Sequence, residues 1–201
     1  GGNGTDSVLG GGGNESIIEL DSDDAGNDTL NSGNGNDYVI GAQGNDSLYT
    51  SGGDDTLIGG AGNDSLTDAG GTTITNNDSM LGGDGNDTIN GGGGHNTLLG
   101  GNGDDTVTSG VGNDSIIELD SDDAGNDTLH SSTGSDYVYG AHGDDSLYTT
   151  GGEDTLIGGA GNDSLTQAGG TNTTNNDSML GGDGDDIING GGGHNTLLGG
   201  N

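Results

Sequence analysis

Aspartates recur every nine residues along this chain, each set between glycines and a large apolar residue. Gly62-Asn63-Asp64-Ser65-Leu66, Gly85-Asn86-Asp87-Thr88-Ile89 and Gly103-Asp104-Asp105-Thr106-Val107 are three examples. Carboxylates and backbone carbonyls are the hard oxygen donors that calcium takes. Glycines allow the left-handed backbone of a tight turn and let carbonyls point at an ion. The chemistry on offer is therefore cation binding in turns. The charge balance asks for it: 34 Asp and Glu stand against no Lys or Arg, a formal net charge of -34. Such a chain repels itself and needs cations to become compact.

The repeat comprises 20 units, and 17 carry Asp at the carboxylate position. These are Asp6, Asp28, Asp37, Asp46, Asp55, Asp64, Asp78, Asp87, Asp105, Asp114, Asp127, Asp136, Asp145, Asp154, Asp163, Asp177 and Asp186. Glu15, Asn96 and Asn195 depart from it. Sites at those three, and at the expanded turns before Asn76 and Asn175, are expected to be weak or empty. Unit spacing is nine residues except for a step of 13 (Gly13 to Gly26, Gly112 to Gly125) and one of 14 (Gly62 to Asn76, Gly161 to Asn175).

A second period of 99 residues lies over the first: Glu19-Leu20-Asp21-Ser22-Asp23-Asp24 returns as Glu118-Leu119-Asp120-Ser121-Asp122-Asp123. About 80 of 100 compared positions are identical between the superrepeats, approximately 3–101 and 102–200. The expected organisation is one continuous module over 1–201. Gly199-Gly200-Asn201 ends in phase with Gly1-Gly2-Asn3. The chain is therefore expected to be an excerpt of a longer array, without the atypical capping repeats of a free-standing solenoid.

Composition excludes several classes. Apolar residues are 24% and aromatics 2%, with 51 glycines, values that usually mark disorder. The strict register and the absence of Pro argue against plain coil. No Cys is present, so there is no disulfide framework. No basic patch exists to hold nucleic acid, and no apolar run is long enough to insert in a membrane.

Gly59-Gly60-Ala61-Gly62-Asn63-Asp64-Ser65-Leu66-Thr67 fits the nonapeptide G-G-x-G-x-D-x-U-x. In this the chain resembles the RTX (repeats-in-toxin) calcium-binding family over essentially its whole length. The resemblance implies an all-β fold, a right-handed parallel β-roll with two nonapeptides per coil, about ten coils, and calcium between stacked turns. Ten turns on each edge would leave nine gaps per edge, up to about 18 inter-turn calcium sites. Full loading would bring about 36 positive charges against the 34 negative ones. The acidic turns at Asp21, Asp23 and Asp24, and at Asp120, Asp122 and Asp123, are candidates for additional calcium. Family members are typically exported unfolded by type I secretion, which implies an extracellular or cell-surface location.

Alternation along each strand puts one residue inward and its neighbours outward. With units assigned in turn to two sheets, one outer face carries Ile18, Ile40, Ile58, Leu81, Leu99, Ile117, Tyr139, Ile157, Leu180 and Leu198. With rungs ~4.8 Å apart this row would run roughly 45 Å. A continuous apolar stripe of that kind marks an interface, here expected to mediate self-association. The corresponding row on the other sheet is mostly polar, as at Asn31, Thr67, Asn90, Thr108, Thr166 and Asn189.

No catalytic site is expected. A triad needs a His base held between Ser and Asp, whereas His95 and His194 occupy the variable turn position and His130 and His142 have no counterparts in the first superrepeat. The leading expectation is a calcium-rigidified structural rod of a filament, surface layer or matrix fibre. The alternatives are a folding and secretion domain or adhesin stalk of a larger secreted protein. Ice binding is a weaker one, since only Thr75, Thr133 and Thr174 put Thr before the central turn residue.

Overall fold

The computed structural model describes residues 4–20, 26–70, 75–119, 125–168 and 175–201. Among them there is no helix, and hence none long and apolar enough to cross a membrane. The chain alternates between two sheets at each turn. Strand β1 (Ser7–Gly12) is followed by β2 (Ser16–Ile18), β3 (Thr29–Asn34) and β4 (Tyr38–Gln43), and the pattern continues to a twentieth strand, Thr196–Gly200. Odd strands form one ten-stranded sheet and even strands the other, all pairs parallel. The result is a parallel β-solenoid of about ten turns, two nonapeptides to each, as the repeat predicts.

The register explains why one apolar residue per unit suffices. Leu30, Leu48, Leu66 and Ile89 stack in line in the first sheet, and Val39, Leu57, Met80 and Leu98 do so in the second. All eight are at most 1% exposed. The interior is thus a ladder two side chains wide, sealed by coils above and below rather than by a broad core. Leu98→Ala should cost about 2–5 kcal/mol, the usual range for such a truncation. Thermal unfolding of the calcium-loaded chain checks it.

Several strands run to six residues, beyond the core position and its two neighbours. β4 pairs with Thr56–Ala61 through Gln43, so the glycine turn itself joins the ladder. The reason is positional: without side chains at Gly41 and Gly59, backbones of adjacent coils come close enough to hydrogen-bond. Ala42 and Ala141 break the glycine rule, holding φ of 81° and 70° where equivalent turns carry Gly60, Gly83 and Gly101. Left-handed backbone costs an L-residue about 1–2 kcal/mol, and extra glycine entropy returns about 0.5–1 kcal/mol of that. Ala42→Gly is therefore expected to raise the unfolding midpoint, with a net gain of about 0.5–1 kcal/mol.

Candidate metal centre

Each turn presents two neighbouring backbone N–H groups, and the structure sends them in opposite directions. The aspartate N–H points to the next coil: Asp28 N donates to Asp46 Oδ1 at 2.8 Å, Asp46 N to Asp64 Oδ1 at 2.8 Å, and Asp64 N to Asp87 Oδ1 at 2.7 Å. The other edge repeats this, with Asp37 N to Asp55 Oδ1 and Asp55 N to Asp78 Oδ1, each at 2.8 Å. The preceding residue points back: Asn63 N donates to Asn45 Oδ1 at 2.8 Å and Asn86 N to Asn63 Oδ1 at 3.0 Å. Two aspartate ladders and two outer Asn/Asp ladders therefore clamp each coil to both neighbours.

All 17 sequence-assigned aspartates lie on the inner ladders. Fifteen of them are buried, while Asp6 and Asp186, near the ends, are half-buried. Asp21, Asp23, Asp24, Asp120, Asp122 and Asp123 lie outside the described residues.

With Oδ1 committed to the backbone, the second oxygen decides the chemistry. Oδ2 of Asp28, Asp37, Asp64, Asp78, Asp87, Asp163 and Asp177 is buried and has no hydrogen-bond partner. Burying such an acceptor costs free energy unless something neutralises it. Its surroundings consist of more acceptors. An ideal Cβ built on Gly59 would collide with Asp64 Oδ2 and lie 2.7 Å from the carbonyl oxygen of Gly82 in the next turn. Gly82 stands likewise between Asp87 Oδ2 and the Gly100 carbonyl, and Gly158 between Asp163 Oδ2 and the Gly181 carbonyl. Carboxylate and carbonyl oxygens of successive turns thus face each other across a space that only glycine leaves open.

The acidities carry the same strain. Burial pushes Asp64 and Asp78 up to about 7 against backbone hydrogen bonds that lower them, and flanking carboxylates raise them further. Asp87 and Asp136 rise to about 6, again mainly by burial.

The two edges differ. Glycine lines one, while the other sets a buried hydroxyl from Thr50, Ser109, Ser131 or Thr149 against Asp55, Asp114, Asp136 or Asp154 and partly offsets the burial.

Among the described residues, no group of three or more His, Cys, Asp or Glu side chains is gathered to hold a metal ion. The donor set at a rung is instead one carboxylate plus backbone carbonyls. It is all-oxygen, buried, anionic and short of hydrogen-bond donors, which suits a hard cation such as calcium.

A family model described as RTX calcium-binding nonapeptide repeat (4 copies) matches residues 22–48, 33–66, 49–72, 76–116, 121–156, 148–173 and 171–201. The chain belongs to the RTX calcium-binding nonapeptide repeat family. Comparison with curated proteins and with solved structures gave no match. As an RTX chain it is a calcium-binding repeat module of a kind typical of secreted proteins. The orphaned Oδ2 atoms fit that ion: the aspartates of each inner ladder would hold it together with turn carbonyls.

Three buried acids of this RTX array do not stand out in the sequence. Glu19, Glu118 and Asp68 are at most 3% exposed. Glu118 Oε2 accepts from Gly101 N at 3.0 Å, and Asp68 Oδ1 accepts from Gly70 N at 2.8 Å. Each stands at the head of an expanded turn, where other units carry Gly, Ser or Thr, and that exchange is the available signal. The turn histidine His95 is likewise more than filler. Its Nδ1 accepts from Asn113 N at 2.8 Å and its own N–H donates to Asn77 Oδ1 at 2.9 Å, so it serves as a rung of the outer ladder.

Proposed function

We propose that this RTX module is a calcium-folded rod that self-assembles into an extracellular filament, surface layer or matrix fibre, acting as a scaffold without catalysis. Calcium would occupy gaps between stacked turns, up to about 18 of them, with the inner-ladder aspartates as ligands. The observation that carries this reading is the row on the outer face of the even-strand sheet. Ile18, Ile40, Ile58, Leu81, Leu99, Ile117, Tyr139, Ile157, Leu180 and Leu198 follow one another in unbroken register. Interior rungs such as Ile40, Ile58 and Leu99 are half-covered by their neighbours, while Ile18 and Leu198 are 44% and 57% exposed. A long apolar stripe on so acidic a body supports lateral contact once calcium has discharged the edges.

Negative-stain electron microscopy in millimolar calcium, repeated after chelation, tests the proposal. Calcium-dependent filaments, bundles or sheets are expected. Isolated short rods at high protein concentration would sink the assembly reading and leave the folding and secretion domain, or adhesin stalk, of a larger protein.

The stripe itself makes a separate prediction. Replacing Ile58 and Ile157 by Thr should leave the calcium-loaded circular dichroism unchanged and shift sedimentation towards monomer. An unchanged sedimentation profile in a wild type that associates would place the contact elsewhere.

A further inference from the structure

Three of the 20 units depart from Asp at the carboxylate position, and two of these, Asn96 and Asn195, stand 99 residues apart. Their side chains enter the ladder as aspartates do. Asp78 N donates to Asn96 Oδ1 at 2.9 Å, and Asp177 N donates to Asn195 Oδ1 at 2.9 Å. With Oδ1 fixed as acceptor, the amide nitrogen must take the place of the orphaned Oδ2. There it is a donor among acceptors. Asn96 Nδ2 donates to the Gly91 carbonyl of its own turn at 3.1 Å and to the Ser109 carbonyl of the next turn at 3.3 Å. Asn195 Nδ2 donates to the Gly190 carbonyl and, at 3.3 Å, to that of Gly192.

Aspartate rungs supply the comparison. At Gly59 the would-be Cβ position is flanked by Asp64 Oδ2 and the Gly82 carbonyl of the next turn, two acceptors with no hydrogen between them. At Gly91 the same position is flanked by Asn96 Nδ2 and the Ser109 carbonyl, each at 3.0 Å, and these form a hydrogen bond. Asn96 belongs to the edge where other rungs set a hydroxyl against the aspartate, but Gly91 in place of that hydroxyl residue gives it the glycine-lined arrangement of Asp64, with one oxygen become N–H₂. What a cation would do at Asp64, drawing together oxygens of consecutive turns, the amide does at Asn96 with two hydrogen bonds. Binding an ion there would require breaking both bonds while offering the ion no charge.

We propose that Asn96 and Asn195 each form a cation-free rung: the Asn96 amide bridges two turns in place of calcium, and the Asn195 amide closes onto the carbonyls of its own turn. The solenoid then carries one metal-independent rung per 99-residue period, always on the same edge. A buried carboxylate is also missing from a stack in which like charges sit one coil apart, so the aspartates on either side, Asp78 and Asp114, lose one repelling neighbour. This proposal rests on the calcium reading of the aspartate rungs and goes beyond it by assigning which rungs take no ion.

Calcium stoichiometry by isothermal titration of the whole chain is the test, with circular dichroism in saturating calcium as the check on folding. Asn96→Asp should raise the bound count by one, and Asn96→Asp with Asn195→Asp by two. The opposite exchange, Asp64→Asn, should lower the count by one while the calcium-loaded fold persists, because the new amide can bridge the Gly59 and Gly82 carbonyls. A count unchanged by Asn96→Asp in a folded protein overturns the proposal. So does an Asp64→Asn chain that stays folded with its full count, or that no longer folds in calcium. If Asn96→Asp itself fails to fold, Asp64→Asn decides alone. Wild type that binds no calcium would instead overturn the reading beneath it.

Discussion

In excess chelator at neutral pH this chain is expected to lose its β-sheet circular dichroism completely, and millimolar calcium should restore it. The argument is one of charge and hydrogen-bonding capacity together. With 34 acidic side chains and no Lys or Arg, no positive residue exists to pair with them. The fold then places fifteen of the aspartates in two buried ladders. At a rung such as Asp64, Oδ1 accepts one N–H from the preceding turn while Oδ2 meets only another acceptor. The aliphatic interior is too thin to overcome that, being a ladder of single Leu, Ile, Val and Met residues. Ion binding and folding are coupled in such a system, because the site exists only once the coils stack.

Protons offer an independent check with a definite sign. Burial in the fold pushes Asp64 and Asp78 up to about 7, above the ordinary value of 3.8. A carboxyl raised by folding favours the folded state in full below its unfolded pKa and loses that contribution as pH rises through the folded one. In chelator, β signal should therefore grow as pH falls from about 7 towards about 4. A chain that keeps its full β signal in chelator at pH 8 would show that the core and the backbone ladders suffice without metal.

Gly62→Ala is expected to be a severely damaging single methyl. Gly62 holds φ of +130°, and its ideal Cβ would collide with the carbonyl oxygen of Gly44, one coil back, and lie 2.9 Å from Asn45 Oδ1. Neither neighbour can yield. The Gly44 carbonyl belongs to backbone, and Asn45 Oδ1 is already the acceptor for Asn63 N. Backbone strain of about 1–3 kcal/mol adds to overpacking of about 1–3 kcal/mol, for a total of roughly 2–6 kcal/mol concentrated at one junction. Because each coil of a solenoid touches only its neighbours, that loss divides the rod into two weakly coupled halves. Calcium-loaded melting should split or shift down sharply. Gly52→Asn is the matched control: φ is +66°, where Asn is tolerated, and the nearest atom to the new Cβ is Asn34 Oδ1 at 3.5 Å. Equal melting of the two variants would refute the close-approach and backbone-strain arguments together.

The nine-residue beat carries most of the architecture because two units close one coil, so residues 18 apart in unexpanded stretches must stack. That stacking makes Leu48 and Leu66 core neighbours and Asp46 and Asp64 ladder neighbours, and both follow from counting. The expanded turns can be located as well, since they leave the register of flanking strands intact: Ile58 still pairs with Leu81 across one of them. Hidden from counting is the partition of each polar side chain between the coils above and below it. Nothing in Asn45-Asp46 says that one N–H reaches back and the next reaches forward, so the outer ladders, with Asn45 and Asn63 on one edge and His95 on the other, look like variable filler in the sequence. Glu118 and Asp68 are inconspicuous for a related reason: acids before an acidic or glycine-rich loop look solvated until the strand end turns them inward.

The sequence by itself determined the period, the single apolar core position per unit and the demand for cations, which depend on spacing and net charge, properties of the chain alone; its resemblance to the RTX family implied the all-β two-sheet solenoid. Only the tertiary structure decided what each carboxylate oxygen faces. It is there that Oδ1 is committed to backbone, that Oδ2 of Asp64 is left against a carbonyl, and that the Asn96 amide meets the same kind of carbonyl as a donor. These outcomes depend on which atoms of separate coils come within about 3 Å of one another, a distance that stacking sets and composition does not.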